Sequence, residues 1–308
     1  MKTVKKTAAA ALSVSVLFAG SAMTGHAGDK SAEEVLNHAN DAMADLESYS
    51  ALIETHQTIS DDVMGETEAH TTTEQDVIMN PFKLREVMTV SAEGEEFTVT
   101  TYWTEEGLYI GDETGEWIKI EDDGLYEVMF DPDHQLGGVN GYGEDLSLSE
   151  EDGYYVITYD GDGEELMHLF EMGGTGQEGE GDFMAELGGD MEISHFWYEL
   201  QIDSDTHYLT GIEMEMDITF NFEDESQTIE QLIEVTYHNF NSVEDFDVPA
   251  DVREQAEDLE EAIEEEMEED GDELPATATN TPMMALAGLL TAAGAAAILA
   301  VRRRLINT

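Results

Sequence analysis

Residues 211–222 read GIEMEMDITFNF. Ile212, Met214, Met216, Ile218, Phe220 and Phe222 stand at every second position, with Glu213, Glu215, Asp217 and Asn221 between them. Successive side chains of a strand point to opposite faces, so this alternation predicts a strand in a sheet with one buried and one wet face. SHFWYELQID (194–203) precedes it across the turn SDTHYLTG, and QTIEQLIEVTYHNF (227–240) follows. The three segments predict an antiparallel meander.

Other strand signals lie toward the N-terminus. QDVIMN (75–80), LREVMTVS (84–91), EFTVTTYW (96–103), GLYIGD (107–112) and EWIKIE (116–121) are short apolar runs separated by turns such as EGE, TEEG and DETG. They predict consecutive hairpins. Tyr49, Ala51, Ile53 and Ile59 alternate with Ser50, Glu54, His56 and Thr58, and GYYVITYDG (153–161) adds a further strand. Ser31 and Glu34 form a capping box ahead of Val35, Leu36, Ala39, Met43 and Leu46, whose spacing predicts the first helix. GLYEVMFDPDHQLGG (124–138) and EELMHLFEM (164–172) are read as short helices, and GGTGQEGEGDFMAELGGD (173–190) as a Gly-rich loop. Many antiparallel strands with a few helices on one face define an α+β class. PADVREQAEDLEEAIEEEMEED (249–270) keeps an apolar stripe at Val252, Ala256, Leu259, Ile263 and Met267, which predicts an acidic helical stalk over 248–273.

The charge distribution excludes several functions. The 308 residues include no Cys and carry a formal net charge of −61. All 72 acidic residues lie between Gly28 and Thr277, against Lys30, Lys83, Arg85, Lys119 and Arg253. Phosphate contacts need clustered Lys and Arg, so nucleic acid is excluded as a partner, and adsorption to anionic membranes with it. Repulsion on this scale fits a salty or alkaline exterior where counterions screen it. No catalytic residues are expected: the chain lacks a Cys nucleophile, a Gly-x-Ser-x-Gly elbow, a His-Glu-x-x-His motif and a phosphate loop. The histidines are scattered, and DGDGEE (160–165) and DPDH (131–134) read as turns rather than calcium loops. Neither a metal site nor a cofactor is expected. The Met- and aromatic-rich set Trp197, Met214, Met216, Phe220 and Phe222 is the candidate lining of an apolar ligand cavity. A filled hydrophobic core is the other reading of the same residues.

Both ends carry targeting signals. Lys2 to Lys6, the apolar run AAAALSVSVLFAG and the small-x-small site Gly25-His26-Ala27 predict a signal peptide over 1–27, cleaved between Ala27 and Gly28. At the other end Leu274-Pro275-Ala276-Thr277-Ala278 precedes an apolar stretch over 283–301 and then Arg302, Arg303 and Arg304. The stretch is long enough to span a bilayer as a helix, and the arginines would hold the end in the cytoplasm. This order resembles the sorting signal of sortase-anchored cell-wall proteins of Gram-positive bacteria, in its LPxTA form. The resemblance implies that a sortase Cys attacks the Thr277 carbonyl, releases the segment from Ala278 onward and passes the acyl group ending at Thr277 to a peptidoglycan amine. Leu274, Pro275, Thr277 and Ala278 are the recognition and cleavage residues it implies. A plain C-terminal membrane anchor is the alternative.

SAEEVLNHANDAMADLESYSALIETHQTI (31–59) and YWTEEGLYIGDETGEWIKIE (102–121) resemble an uncharacterised family of exported Gram-positive lipoproteins, with Tyr109, Gly115, Trp117 and Lys119 keeping its spacing. Through that family the region 31–247 is similar to the LolA/LppX-like carrier superfamily. The resemblance implies a curved antiparallel half-barrel over 28–247 with helices packed on its concave face, holding an apolar or amphiphilic ligand. Lacking the lipid-modified Cys of those relatives, this chain would be held at its C-terminus, in the wall. The expected protein is therefore secreted, wall-anchored, monomeric and non-enzymatic, with sortase, peptidoglycan and a lipid-like ligand as partners. The competing expectation is a structural or sensory ectodomain without a ligand.

Overall fold

The computed structural model describes residues 26–27, 30–61, 65–92, 94–112, 115–121, 146–161, 189–222 and 225–259. Two short strands, β1 (His26–Ala27) and β2 (Lys30–Ser31), pair antiparallel and lead into helix α1 (Ala32–Ala44). The capping box is formed: Glu34 N–H donates to Ser31 Oγ at 3.2 Å, and Ser31 N–H donates to Glu34 Oε2 at 3.2 Å. Two of the first-turn donors that an α-helix leaves free are thereby satisfied.

All remaining strands join one open, curved, 12-stranded sheet. One arm is β3 (Ser48–Asp61), β4 (Gly65–Met79), β5 (Phe82–Ala92), β6 (Glu95–Thr104), β7 (Gly107–Asp112) and β8 (Trp117–Ile120). The other is β9 (Ser147–Glu151), β10 (Tyr154–Gly161), β11 (Gly189–Asp203), β12 (Leu209–Phe222) and β13 (Glu225–His238). Each arm is an antiparallel meander, and β13 closes onto β3 with Ile233 opposite Thr55. After β13 come the short helix α2 (Ala250–Gln255) and β14 (Glu257–Asp258), which pairs parallel with β8 at the sheet edge.

The predicted alternation is realised in β12. Ile212, Met214, Met216 and Ile218 are buried, while Glu215 and Asn221 are exposed. The buried set lies on the face that carries α1. There Val35, Leu36 and Ala39 of the helix join Ile157, Tyr198, Leu200, Ile202, Met214 and Val235 in one core. Full burial of such side chains contributes roughly 1.5–3 kcal/mol each. The opposite face of the β5–β8 arm is covered by the chain's own C-terminal segment. Val248 and Val252 pack with Tyr109, and Tyr102, Trp117 and Ala256 rest against them. Gly111 makes room for the Trp117 ring, which a Cβ at that position would strike.

This segment corrects the expected stalk. The helix over 248–273 is broken within the described residues: α2 stops at Gln255 and the chain extends into β14. Burial of Val248 and Val252 makes the segment part of the sheet domain, beyond the boundary expected at residue 247. The helices expected at 124–138 and 164–172, the signal peptide up to residue 25 and the tail from 260 onward lie outside the described residues. Among the described residues no helix is long and apolar enough to cross a membrane.

Candidate functional site

Cross-strand register places each side chain on a face. On the α1 face one row runs Tyr49, Val77, Leu84, Trp103, Leu108 and Ile120 across β3 to β8. The next row runs Ala51, Gln75, Glu86, Thr101, Ile110 and Ile118. A third runs Ile53, Thr73, Met88 and Val99. Trp103 and Leu108 form an apolar patch with Phe82, Leu84, Ile110 and Ile120, and the Phe82 and Trp103 rings meet edge to face at 5.5 Å. Neither described helix shares this patch: α1 packs with the core of the other arm, and α2 packs on the opposite face. The α1 face thus has a half packed against α1 and, among the described residues, a half built of the sheet alone, with Trp103 and Leu108 buried in it.

Polar groups interrupt the middle row. Gln75 Nε2 donates to Glu86 Oε2 at 2.6 Å, and burial pushes the Glu86 carboxyl above the usual carboxylate range against the lowering effect of that bond. Tyr49 and Tyr237 meet edge to face at 5.8 Å beside the row, and burial raises both phenols.

The expected cavity residues divide. Met214 and Met216 are buried in the core that includes α1, and Phe220 packs against it. Trp197 lies on the other face, opposite Glu215, while its neighbours Phe196 and Tyr198 face Met216 and Met214. Adjacent strand residues cannot share a face, and a bulge between Ile193 and His195 sets which of them turns inward. The Phe222 backbone closes β12 opposite Gly189 and Glu225. The apolar set Leu84, Trp103, Leu108 and Ile110 is not legible in the sequence, because it comes from three strands and only their register gathers it. Ala27 lies in β1; Gly28 and the sorting residues Leu274, Pro275, Thr277 and Ala278 lie outside the described residues.

The opposite face is acidic. A depression of about 660 Å³ crosses β12, β13, β3, β4 and β5, lined by His56, His70, Glu68, Glu215, Asp217 and Glu230 among others. The His56 and His70 rings lie 4.3 Å apart; His70 Nε2 contacts Thr72 Oγ1 at 3.2 Å, and its buried Nδ1 has no partner among the described residues. Among the described residues no three His, Asp or Glu side chains converge as a metal site. Beside the depression, Glu199, Glu213, Glu234 and Glu54 stand directly opposite one another on four strands. Burial, and then the charges of Glu234, Glu199 and Glu215, raise the Glu213 carboxyl.

The scarce cations secure the C-terminal segment. Lys83 Nζ donates to Asp245 Oδ1 at 2.7 Å, to the Phe246 carbonyl at 2.8 Å and to Asp247 Oδ1 at 3.0 Å. Arg85 pairs with Asp76 and lies 5.4 Å from the Phe246 ring centre, and Arg253 Nε reaches Glu106 at 3.1 Å. The hairpin motif noted in the sequence serves the same purpose. Tyr109 and Trp117 seat Val248 and Val252, and Gly115 turns the hairpin at φ +84.

Fold and termini together define an exported β-sheet domain carried on a wall-sorting tail. Residues 31–257 match the model of a family of unknown function, DUF6612, and the chain belongs to that family. Residues 269–304 match the LPXTG cell wall anchor motif. The chain is therefore a secreted, cell-wall-anchored protein of a Gram-positive cell, processed by sortase and attached to peptidoglycan. No curated protein matches it. Similar solved structures include a β-barrel-like DUF1849 protein from Brucella abortus, at 8% identity and a TM-score of 0.20, covering 62% of this chain and 98% of that one. A LolA superfamily protein from Nitrosomonas europaea is 9% identical at a TM-score of 0.21, covering 71% of this chain and 94% of that one.

Proposed function

We propose that this wall-anchored domain is a monomeric binding protein, not an enzyme, and that the β4–β8 part of its α1 face takes an apolar or amphiphilic ligand. The carrying observation is an apolar patch that neither described helix shares, in which the half-buried Phe82, Leu84, Ile110 and Ile120 surround the buried Trp103 and Leu108. Apolar surface held away from water by a ligand is worth about 25 cal/mol per Å². A chain with so many acids has ample polar side chains to cover a face that needs only solvent, yet Phe82, Leu84, Ile110 and Ile120 gather here around Trp103 and Leu108. The signal peptide over 1–27, cleavage after Thr277 and the span over 283–301 belong to the same reading.

The test is native mass spectrometry of the protein released from purified wall by a peptidoglycan hydrolase. The expected spectrum shows a chain ending at Thr277 with wall-peptide mass and a co-released amphiphile, and Leu84→Asp loses the amphiphile while keeping the same C-terminus. A ligand-free domain that also fails to take up alkyl probes would establish the competing structural role.

A further inference from the structure

Glu86 stands out on the proposed ligand face. Its register neighbours are Gln75 and Thr101 across the strands and Leu84 and Met88 along its own, framed by Val77, Trp103 and Val99. Among the described residues Gln75 is its one hydrogen-bond partner. A carboxylate offers about four acceptor sites, so one amide donor leaves most of its capacity unused. Glu86 is half-buried, and a partly desolvated carboxylate reaches its best completion with a charge or further donors.

No cation of the described residues supplies that completion. Lys83 and Arg85 point to the other face of β5, where they hold Asp245, Asp247 and Asp76. Lys119 reaches Glu121, Arg253 reaches Glu106, and Lys30 donates to the Tyr155 hydroxyl. Glu86 is also close to the helix side of the site. It lies two strands from Ala51, which packs in the α1 core, roughly 10 Å along the hydrogen-bonding direction. The surrounding charge acts in the same sense, since the chain's formal net charge of −61 disfavours an anionic head group anywhere on the domain.

We propose that Glu86 is the polar contact of this face and that the ligand is an amphiphile with a cationic, ammonium-type head group. The alkyl part would lie along the half-buried Leu84, Ile110 and Ile120, and the ammonium would donate to the Glu86 oxygen that Gln75 leaves open. This rests on the ligand-binding reading above. The raised carboxyl is consistent with a group that lacks its counter-charge until the ligand arrives.

The experiment compares dodecylammonium, dodecanol and dodecanoate binding to the wall-released protein, by displacement of a neutral fluorescent alkyl probe. It is run in about 1 M salt, where the Debye length falls to about 3 Å and general attraction to the acidic surface is screened. The expected order is ammonium, alcohol, carboxylate, with about tenfold between the first two, as for one hydrogen bond to a charged group. Glu86→Gln removes one of 72 acids, so it leaves general attraction in place. It should abolish the ammonium preference and keep dodecanol binding, which also reports an intact site. An ammonium preference that survives in Glu86→Gln would overturn the proposal, as would equal affinities in the parent protein. Absence of binding by all three probes would instead overturn the underlying ligand-binding reading.

Discussion

Lys83 shows how a chain short of cations uses one. Its side chain is only 13% exposed, yet it serves three acceptors of the segment that leads to the wall anchor. The bonds to Asp245 and then Asp247 raise the Lys83 pKa, and the first of them lowers that of Asp245. The two shifts bound a pH window. Lys83's contribution is complete below its ordinary pKa and is lost only as pH rises through the raised value. Asp245's contribution is complete above its ordinary pKa, about 3.9, and is lost as pH falls through the lowered one. Hydrogen exchange over 245–253 should therefore be slow at neutral pH and accelerate in acid below that range. In Lys83→Gln it should be roughly twofold to fivefold faster at neutral pH, with sheet amides unchanged. Equal protection in both proteins would show that Val248 and Val252 hold the segment alone.

At the scale of the element, β12 carries a conflict. One face packs Met214 and Met216 into the core; the other sets Glu213 directly between Glu199 and Glu234. Like charges directly opposite one another destabilise a sheet. Glu213 has a raised carboxyl, so the unfolded chain releases this proton more easily than the native one, and stability falls as pH rises through the raised value. Glu213→Gln should therefore raise the melting temperature at neutral pH and low salt, on the order of 2 °C. The gain should shrink with added salt and vanish below the ordinary Glu range. A gain that ignores salt would point to packing rather than charge.

At the scale of the molecule, the sheet's two meanders and the docked C-terminal segment form one body, and its last described strand, β14, precedes the anchor in the chain. Wall attachment then depends on a short peptide beyond it. Thr277→Ala should leave the sheet intact, because every strand of the sheet ends before residue 259, and should shift the protein from the wall fraction to the membrane fraction. Retention in the wall, resistant to boiling detergent, would refute cleavage after Thr277.

The sequence by itself determined what depends on local pattern. The alternation in 211–222, the turns between the hairpins, the Ser31–Glu34 capping box and the order of motif, apolar run and arginines are all legible within short windows, because strand period, capping and sorting are local. Only the tertiary structure decided what depends on register. It turned Tyr198 rather than Trp197 toward the core through a bulge, put Met214 and Met216 in the half of the face packed against α1, and drew Val252 out of an expected stalk. It also assembled Leu84, Trp103, Leu108 and Glu86 on one surface. A one-residue slip in pairing sends every side chain of a strand to the other face, and no single strand records which register its neighbours adopt.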